Sequence, residues 1–190
     1  MGNTLLQVKR LKKYFDTPAG LLHAVDDVSF EIEKGETVGL VGESGCGKST
    51  IGRTMLRLIP HTEGEVVYKG ENILDYDNAK MRDMRKQMQI IFQDPYSCLD
   101  PRKTIGNIIA EPLIVNKTIP RKEIHDYVLQ LMTKGGISRR LYNSYPHELD
   151  GGRRQRVGII RALALNPEFI VCDEPVSSLD VSIQAQIISL

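Results

Sequence analysis

The sequence predicts an α/β fold in which a mostly parallel sheet carries a helical insertion. Three observations support this. Apolar and polar residues alternate through the first sixty-odd residues, as they do in strands. A helix-rich stretch runs from about Thr104 to Leu165, and a short apolar run lies on either side of it. The two runs, Met88–Phe92 and Phe169–Cys172, are continuous and partly β-branched, as expected for strands of a parallel sheet covered on both faces. A chain of 190 residues, 41% of them hydrophobic and 26% charged, is long enough for one globular domain.

The first strands are separated by turn residues. Alternation predicts strands at Leu5–Val8, Leu22–Val25, Val28–Ile32 and Thr37–Val41, and a further short strand at Val66–Tyr68. Gly20, then Lys34 and Gly35, break the pattern, and Gly64 and Gly70 bracket the last strand.

A glycine-rich loop directly follows the strand predicted at Thr37–Val41. Its residues match GxxxxGKS and continue into a helix predicted over Ser49–Leu58: Gly42, Glu43, Ser44, Gly45, Cys46, Gly47, Lys48, Ser49 and then Thr50. The three glycines allow positive φ, so that backbone N–H groups face β- and γ-phosphate oxygens, and the helix that opens at Lys48 adds its positive end. Lys48 supplies a charge and Ser49 a Mg²⁺ ligand. A Gly-rich turn that matches by chance is the alternative, but a strand before and a helix after favour a nucleoside triphosphate site.

Two amphipathic faces are predicted in the helix-rich stretch. One consists of Ile105, Ile108, Ile109 and Leu113, and the other of Ile124, Val128, Leu131 and Met132. Their spacing is that of helices packed on a common core.

Polar residues follow both apolar runs. Asp173 and Glu174 come directly after Phe169–Cys172, and Gln93 follows Met88–Phe92. Beside a phosphate loop, Asp173 is suited to hold Mg²⁺, usually through water, and Glu174 to orient and polarise the water that attacks the γ-phosphate. The Gln93 amide is suited to reach both the Mg²⁺ and that water. An acidic pair or an amide at a strand end is often only a solvated cap, but the phosphate loop in the same chain favours the catalytic interpretation.

Charge and cysteine content narrow the function classes. The formal net charge is +1, which gives no global attraction to nucleic acid or anionic lipid, so we expect no nucleic-acid partner. Cys46, Cys98 and Cys172 match neither a disulfide framework nor a zinc spacing, which favours reduced thiols in the cytosol. No stretch approaches the length of a membrane span, so any work at a membrane requires another subunit.

A further segment resembles the LSGGQ signature of ATP-binding-cassette (ABC) ATPases. The matching residues are Leu149, Asp150, Gly151, Gly152 and Arg153, and Ser178, Leu179 and Asp180 look like the D-loop of the same family. The phrases FQDPYSCLDPR from Phe92 and LDVSIQAQI from Leu179 are similar to the peptide and nickel importer ATPases, best to the dipeptide and oligopeptide members. The resemblance implies a P-loop NTPase core with a mostly parallel sheet, an N-terminal antiparallel β-subdomain and a helical subdomain at about 94–165.

The resemblance also implies a mechanism that needs two subunits. Two ATPase subunits pair head to tail, so that each ATP, with its Mg²⁺, lies between the phosphate loop of one and the signature of the other. Closure and reopening of this dimer move transmembrane permease subunits, which receive solute from an external binding protein, and the ATPase sits peripherally on the cytoplasmic face of the membrane. By the same analogy Tyr96–Pro101 is a contact surface for the permease, and Tyr14 or Phe15 stacks on adenine, with Phe15 slightly better placed by spacing.

The chain departs from the family pattern in two respects. Asp150 stands where Ser is usual and Arg153 where Gln is usual; an ionised Asp cannot donate to a phosphate, although it can still cap the helix predicted from Gly151, and Arg153 can compensate with a cation. We therefore expect the ATP site completed by this signature to be the weaker one. Second, the family's switch histidine has no counterpart before the chain ends at Leu190, so the polypeptide is interpreted as an N-terminal fragment in which ATP binding survives better than hydrolysis.

Three functions follow from these patterns. The first is an ATPase subunit that drives uptake of dipeptides, oligopeptides, nickel or a related solute. The alternative is a soluble ABC-type ATPase acting on nucleic acid or ribosomes, which predicts basic or coiled-coil insertions that are not seen between Gln93 and Leu149. The third is a nucleotide-binding regulatory protein without ATP turnover. In such a protein we would expect Lys48 or Glu174 to be replaced, and both residues are present.

Overall fold

The computed structural model describes residues 3–94 and 98–174. The chain divides into two compact units, residues 1–85 and residues 86–190. The D-loop prediction at Ser178, Leu179 and Asp180 lies outside the described residues.

An antiparallel sheet forms most of the first unit. Strands β1 (Thr4–Thr17) and β2 (Gly20–Glu33) make a long hairpin, and β3 (Glu63–Tyr68) and β4 (Glu71–Asn72) extend it in the order β2-β1-β3-β4. The predicted N-terminal antiparallel β-subdomain is thus confirmed, and the side chains that alternate inward from β1 and β3 are fully buried: Leu6, Val8, Leu11, Val66 and Tyr68.

One strand replaces two of those predicted. Leu22–Val25 and Val28–Ile32 are parts of β2, and the intervening Asp26 and Asp27 do not end it. The pairing of β1 with β2 shifts register between Leu11 and Lys13, and Asp27, in this part of β2, has a φ of +53°. The two aspartates therefore lie in a β-bulge, and the strand continues on both sides of it.

The prediction of a strand at Thr37–Val41 is wrong. These residues have no strand conformation, and Val41 is 94% exposed. A strand exists only where a neighbour accepts its backbone hydrogen bonds, and no described residue pairs with this segment. The apolar pattern of Thr37–Val41 is therefore not evidence of a paired strand.

Helix α1 (Lys48–Met55) follows the glycine-rich loop and ends three residues before the predicted Leu58. A single turn of 3-10 helix at Ile73–Asp75 and the helix α2 (Asn78–Gln87) come after the sheet. Helix α1 buries Ile51, Thr54 and Met55, which anchors the loop at its amino end.

A parallel strand pair is the centre of the second unit. Strand β5 (Met88–Ile91) pairs with β6 (Phe169–Cys172), from Met88 opposite Phe169 to Ile91 opposite Cys172, which confirms a parallel α/β arrangement. Burial on both faces is incomplete among the described residues: Gln89, Ile90, Ile170 and Val171 are only half-buried.

The intervening helices are α3 (Ile105–Asn116), α4 (Arg121–Lys134) and α5 (Gly151–Leu163), with 3-10 turns at Arg139–Asn143 and Pro146–Glu148. Both predicted amphipathic faces are buried, and together they form one cluster: Ile105, Ile108, Ile109, Leu113, Ile124, Val128, Leu131 and Met132. Helix α5 contributes to this cluster through Val157 and Ile160. Its other face contributes Ile159 and Ala162 to a second, smaller cluster with Ile91 of β5. Along the described part of the chain, no helix is both long and apolar enough to cross a bilayer.

Candidate functional site

The phosphate loop in the first unit has the backbone geometry that its glycines allow. Gly45 and Gly47 have φ of +80° and +97°, and Gly47 is the N-cap of α1, which begins at Lys48 as expected. Gly42 does not have a positive φ, which corrects the expectation for all three glycines. Its reason is space, because a Cβ there would lie 2.6 Å from the Cys46 Sγ.

Gly47→Ala should abolish high-affinity nucleotide binding. A Cβ at this position would lie 2.1 Å from the Ala24 carbonyl oxygen, and the left-handed backbone costs an L-residue about 1–2 kcal/mol. The loop must therefore move away from β2. Isothermal titration with ATP should show at least a tenfold weaker affinity.

Gly70→Ala is the matched control, because Gly70 has a φ of +87° but no atom within 4 Å of the added Cβ. It carries the same backbone strain outside the loop and should leave the ATP affinity unchanged. Equal weakening of ATP binding by the two variants would contradict the prediction, because Gly70→Ala makes no contact like the one with the Ala24 carbonyl.

Lys48 lies across its own loop. Its Nζ donates to the carbonyl oxygens of Gly42, at 2.9 Å, and Glu43, at 2.7 Å, and lies 3.9 Å from the Cys46 Sγ. The ammonium group is thus held over the residues that are expected to surround a phosphate. It bonds to neutral carbonyls, so its charge is still available to an anion.

The two aromatic candidates for adenine stacking differ in their contacts. The Tyr14 hydroxyl donates to an Asp26 carboxylate oxygen at 2.5 Å, and its ring stacks on His23 with centroids 3.9 Å apart. The Tyr14 hydrogen bond lowers the pKa of Asp26, and the same bond raises the pKa of Tyr14. Phe15 is half-buried, and the Lys13 Nζ lies 4.5 Å from its ring centroid.

In the second unit, the carboxyl ends of β5 and β6 bring three predicted residues together. The Asp173 N–H donates to the Ile91 carbonyl at 2.9 Å, which extends the parallel ladder by one residue, and Asp173 is 6% exposed. Gln93 Nε2 donates to Glu174 Oε2 at 2.9 Å. Glu174 is exposed and has a φ of +46°, a strained backbone for a residue other than glycine.

The signature segment begins α5. Asp150 is the N-cap, its Oδ1 accepting from the Arg153 N–H at 2.7 Å, and its Oδ2 lies 3.4 Å from the Arg153 Nε. The expected cap is therefore present, and the Arg153 guanidinium lies beside the Asp150 carboxylate, on side chains that are more than half exposed. Leu149 is buried in the helical core, while Gly151 and Gly152 make the first turn of α5.

Part of the predicted permease contact can also be described. Pro95, Tyr96 and Ser97 lie outside the described residues. Leu99 is buried in the helical core, and the Arg102 side chain hydrogen-bonds Asp100, which lowers the pKa of Asp100 to about 2. Leu99 therefore belongs to the interior, not to a surface.

Sequence reasoning missed Gln155. This side chain is 2% exposed, in the middle of a helix whose pattern is otherwise amphipathic, and its Nε2 donates to the Phe92 carbonyl at 3.4 Å. A glutamine next to three arginines reads as part of a solvated face. One observation in the sequence could have indicated its burial: Gln155 lies one helical turn before the apolar Ile159, on the same face of the helix.

Comparison with known proteins gives one family and several similar proteins. The profile of the family described as "ABC transporter" matches residues 25–177. The chain is 53% identical over 192 residues to the oligopeptide transport ATP-binding protein OppF of Bacillus subtilis, covering 100% of this chain and 63% of the relative. It is 47% identical to the dipeptide transport ATP-binding protein DppF of Haemophilus influenzae, covering 98% of this chain and 59% of the relative. The chain thus spans about three fifths of the length of the curated relatives it matches.

Solved structures have the same fold. The dimeric post-hydrolysis structure of the ATP-binding cassette MJ0796, bound to ADP and Pi, superposes with a TM-score of 0.88 at 30% identity, covering 97% of this chain and 80% of that one. A second neighbour is cbiO1 from Clostridium perfringens, described as part of the transporter complex cbiONQ, with a TM-score of 0.80 at 26% identity over 98% of this chain and 72% of that one.

Proposed function

The chain belongs to the ABC transporter family, and from this premise we propose that it binds and hydrolyses ATP to drive the import of oligopeptides or dipeptides. The observation that carries the proposal is identity of about one half, over the whole chain, to ATP-binding proteins of oligopeptide and dipeptide transport. Nickel or a related solute remains within the same proposal. Nothing in the comparisons supports the alternative of an ATPase acting on nucleic acid or ribosomes.

Each step of ATP hydrolysis has a residue suited to it. The phosphate loop, Gly42–Thr50, offers backbone N–H groups, the positive end of α1 and the Lys48 ammonium to the triphosphate. Glu174 orients and polarises the attacking water, and Gln93, which already hydrogen-bonds Glu174, fixes the direction of that carboxylate.

The donor atoms assigned to Mg²⁺ suit that ion. Ser49, Asp173 and Gln93 offer a hydroxyl, a carboxylate and an amide oxygen, the hard oxygen ligands that Mg²⁺ prefers. When bound, the ion would neutralise charge on the phosphate oxygens. No group of three His, Cys, Asp or Glu side chains gathers anywhere in residues 3–94 and 98–174, and a Mg²⁺ site completed by phosphate and water needs none.

Phe15 is the residue that we assign to adenine. Tyr14 stacks one ring face on His23 and bonds Asp26 through its hydroxyl, whereas within residues 3–94 and 98–174 the Phe15 ring contacts the Lys13 ammonium and is stacked on no other ring. A ring that is not already stacked on another ring is the better partner for a base, and this favours Phe15.

The proposed partners are a second ATPase subunit, paired head to tail, and transmembrane permease subunits, with an external solute-binding protein acting indirectly. In support, one neighbouring structure is a dimer and another is part of a transporter complex. The proposed location is peripheral, on the cytoplasmic face of the membrane.

The function is tested by co-purifying the full-length protein with its membrane partners in lipid vesicles that carry the solute-binding protein. ATP hydrolysis should rise when an oligopeptide or dipeptide is added, and labelled peptide should accumulate. If hydrolysis rises with nickel but not with peptides, the transported solute would be nickel and not a peptide. If hydrolysis rises with no solute, the proposal of import would be contradicted.

The Asp150–Arg153 pair predicts a change in turnover. Asp150 faces Arg153, so replacing Arg153 alone leaves a carboxylate without its cation where a γ-phosphate is expected to approach. At about 4 Å in water, such repulsion costs about 1 kcal/mol, or about fivefold. Arg153→Gln should lower ATP turnover in the assembled transporter by about that factor.

The double variant Asp150→Ser, Arg153→Gln restores a hydroxyl donor, keeps the N-cap and should raise turnover severalfold above the parent. The readout is phosphate release at saturating ATP, with the four members of the cycle compared. Unchanged turnover in the double variant would reject the hypothesis that this signature completes the weaker site.

A further inference from the structure

Gln155 is a buried polar residue to which the reaction described above gives no role. It is 2% exposed, and Ile159 and Ala162, one and two turns later on the same face of α5, pack against Ile91 of β5. A buried amide is costly unless it is hydrogen-bonded, so the Phe92 carbonyl at 3.4 Å is a specific partner.

The partner of Gln155 is joined to Glu174, the proposed hydrolytic carboxylate, through one residue, Gln93. Phe92 follows the last residue of β5 and directly precedes Gln93, whose Nε2 donates to Glu174 Oε2 at 2.9 Å. A short series of contacts thus runs from α5 through Gln155, the Phe92 carbonyl and the Gln93 side chain to Glu174. All of it lies within the second unit.

The neighbours of Gln155 on α5 have different partners. Arg154 Nε donates to the Pro146 carbonyl at 2.6 Å, and Arg156 Nη1 to the Gly136 carbonyl at 3.4 Å. Both hold the helix to the segments between α4 and α5. Gln155, five residues after the Asp150 N-cap, instead holds the same helix to Phe92, which follows β5 and precedes Gln93.

We infer that Gln155 is a positioning residue, which fixes the end of β5 so that Gln93 meets Glu174 and thereby couples the first turns of the signature helix to the hydrolytic carboxylate. The inference rests on the proposed function, since it takes Glu174 to act on the attacking water. Loss of the Gln155 amide leaves the Phe92 carbonyl without this donor, Gln93 loses its direction, and the chemical step slows while nucleotide binding does not.

The first test is Gln155→Met, which keeps the length of the side chain without its donor. In the full-length chain assembled with its partners, kcat for ATP should fall at least tenfold while KM stays within about twofold. Gln130→Met, at an exposed glutamine of α4, is the matched control and should leave both constants unchanged. A fall in melting temperature with kcat retained would mean that Gln155 only stabilises the fold and would overturn the inference.

A second variant, Gln155→Glu, adds a readout that a structural role would not produce. A carboxylate cannot donate to the Phe92 carbonyl, whereas the protonated acid can, and burial raises the pKa of such a group. The ratio of variant to parent kcat should therefore rise severalfold as the pH falls from 8 to 6. A flat ratio contradicts the inference, and this variant keeps it testable if Gln155→Met does not fold.

A third comparison asks whether Gln155 acts through Gln93. If it does, Gln155→Met added to Gln93→Ala should slow the reaction no further than Gln93→Ala alone. Fully multiplicative effects would overturn the relay. A parent assembly without any turnover would overturn the proposed function and this inference with it, whereas a parent that turns over ATP alongside an unaffected Gln155→Met overturns this inference only.

Discussion

Glu174→Gln is expected to reduce ATP turnover by about 10²- to 10⁴-fold, the range that a positioned general base contributes. The variant keeps the shape of the side chain and an amide oxygen that can still accept from Gln93, so the contact of 2.9 Å and the local backbone are retained. Only the basicity of the group is lost. ATP binding, measured by isothermal titration, should change by less than about twofold.

Glu168→Gln provides the control for this variant. Glu168 is exposed and directly precedes β6, at the opposite end of the strand from Glu174, so the same chemical change is made far from the proposed reaction. Its turnover should equal that of the parent. Turnover above one tenth of the parental value in Glu174→Gln would show that another group activates the water.

The bounds of β6 and the starts of α1 and α5 were the parts of the fold most accessible from the sequence. β6 begins and ends where the sequence predicts, at Phe169 and Cys172, because this short, apolar and partly β-branched run is bounded by charged residues, Glu168 before it and Asp173 and Glu174 after it. The start of α1 at Lys48 and the cap at Asp150 also follow from local chemistry. Gly47 takes the positive φ with which the chain enters α1, and the short Asp150 side chain accepts from the Arg153 N–H in the first turn of α5.

Structural features that depend on residues far away in the sequence were harder to predict from it. Whether Thr37–Val41 is a strand depends on a pairing partner, and whether Asp26 and Asp27 end β2 depends on a register shift in β1. Neither can be read from the segment itself. The contact between Gln155 and Phe92 joins residues 63 positions apart, which no local pattern reports.

The contact between Gln93 and Glu174 lies between these cases. Each residue was identified from its own strand end, and the parallel register of β5 and β6 is what brings the two side chains together. Each candidate residue could thus be named from its own segment, while the contact between the two side chains could not be known without the pairing of the strands.

Lys48→Met is expected to weaken ATP binding by about 10- to 100-fold. The lysine contributes charge-assisted hydrogen bonds, and losing a bond of this kind costs about 1.5–3 kcal/mol, where each 1.4 kcal/mol is tenfold in affinity. The variant also loses the two bonds from Nζ to the Gly42 and Glu43 carbonyls, which hold the loop in its present form. The dissociation constant for ATP, from isothermal titration, is the measurement.

Lys34→Met separates this effect from a general loss of positive charge. Lys34 is an exposed lysine shortly before the loop, and its replacement changes the net charge by the same amount. The ATP affinity of the control should match that of the parent at about 0.15 M salt, where exposed charges beyond about 8 Å are largely screened. If Lys48→Met and Lys34→Met weakened ATP equally, the ammonium of Lys48 would act as part of a diffuse field, and the assignment of the loop as the phosphate cradle would lose its main chemical support.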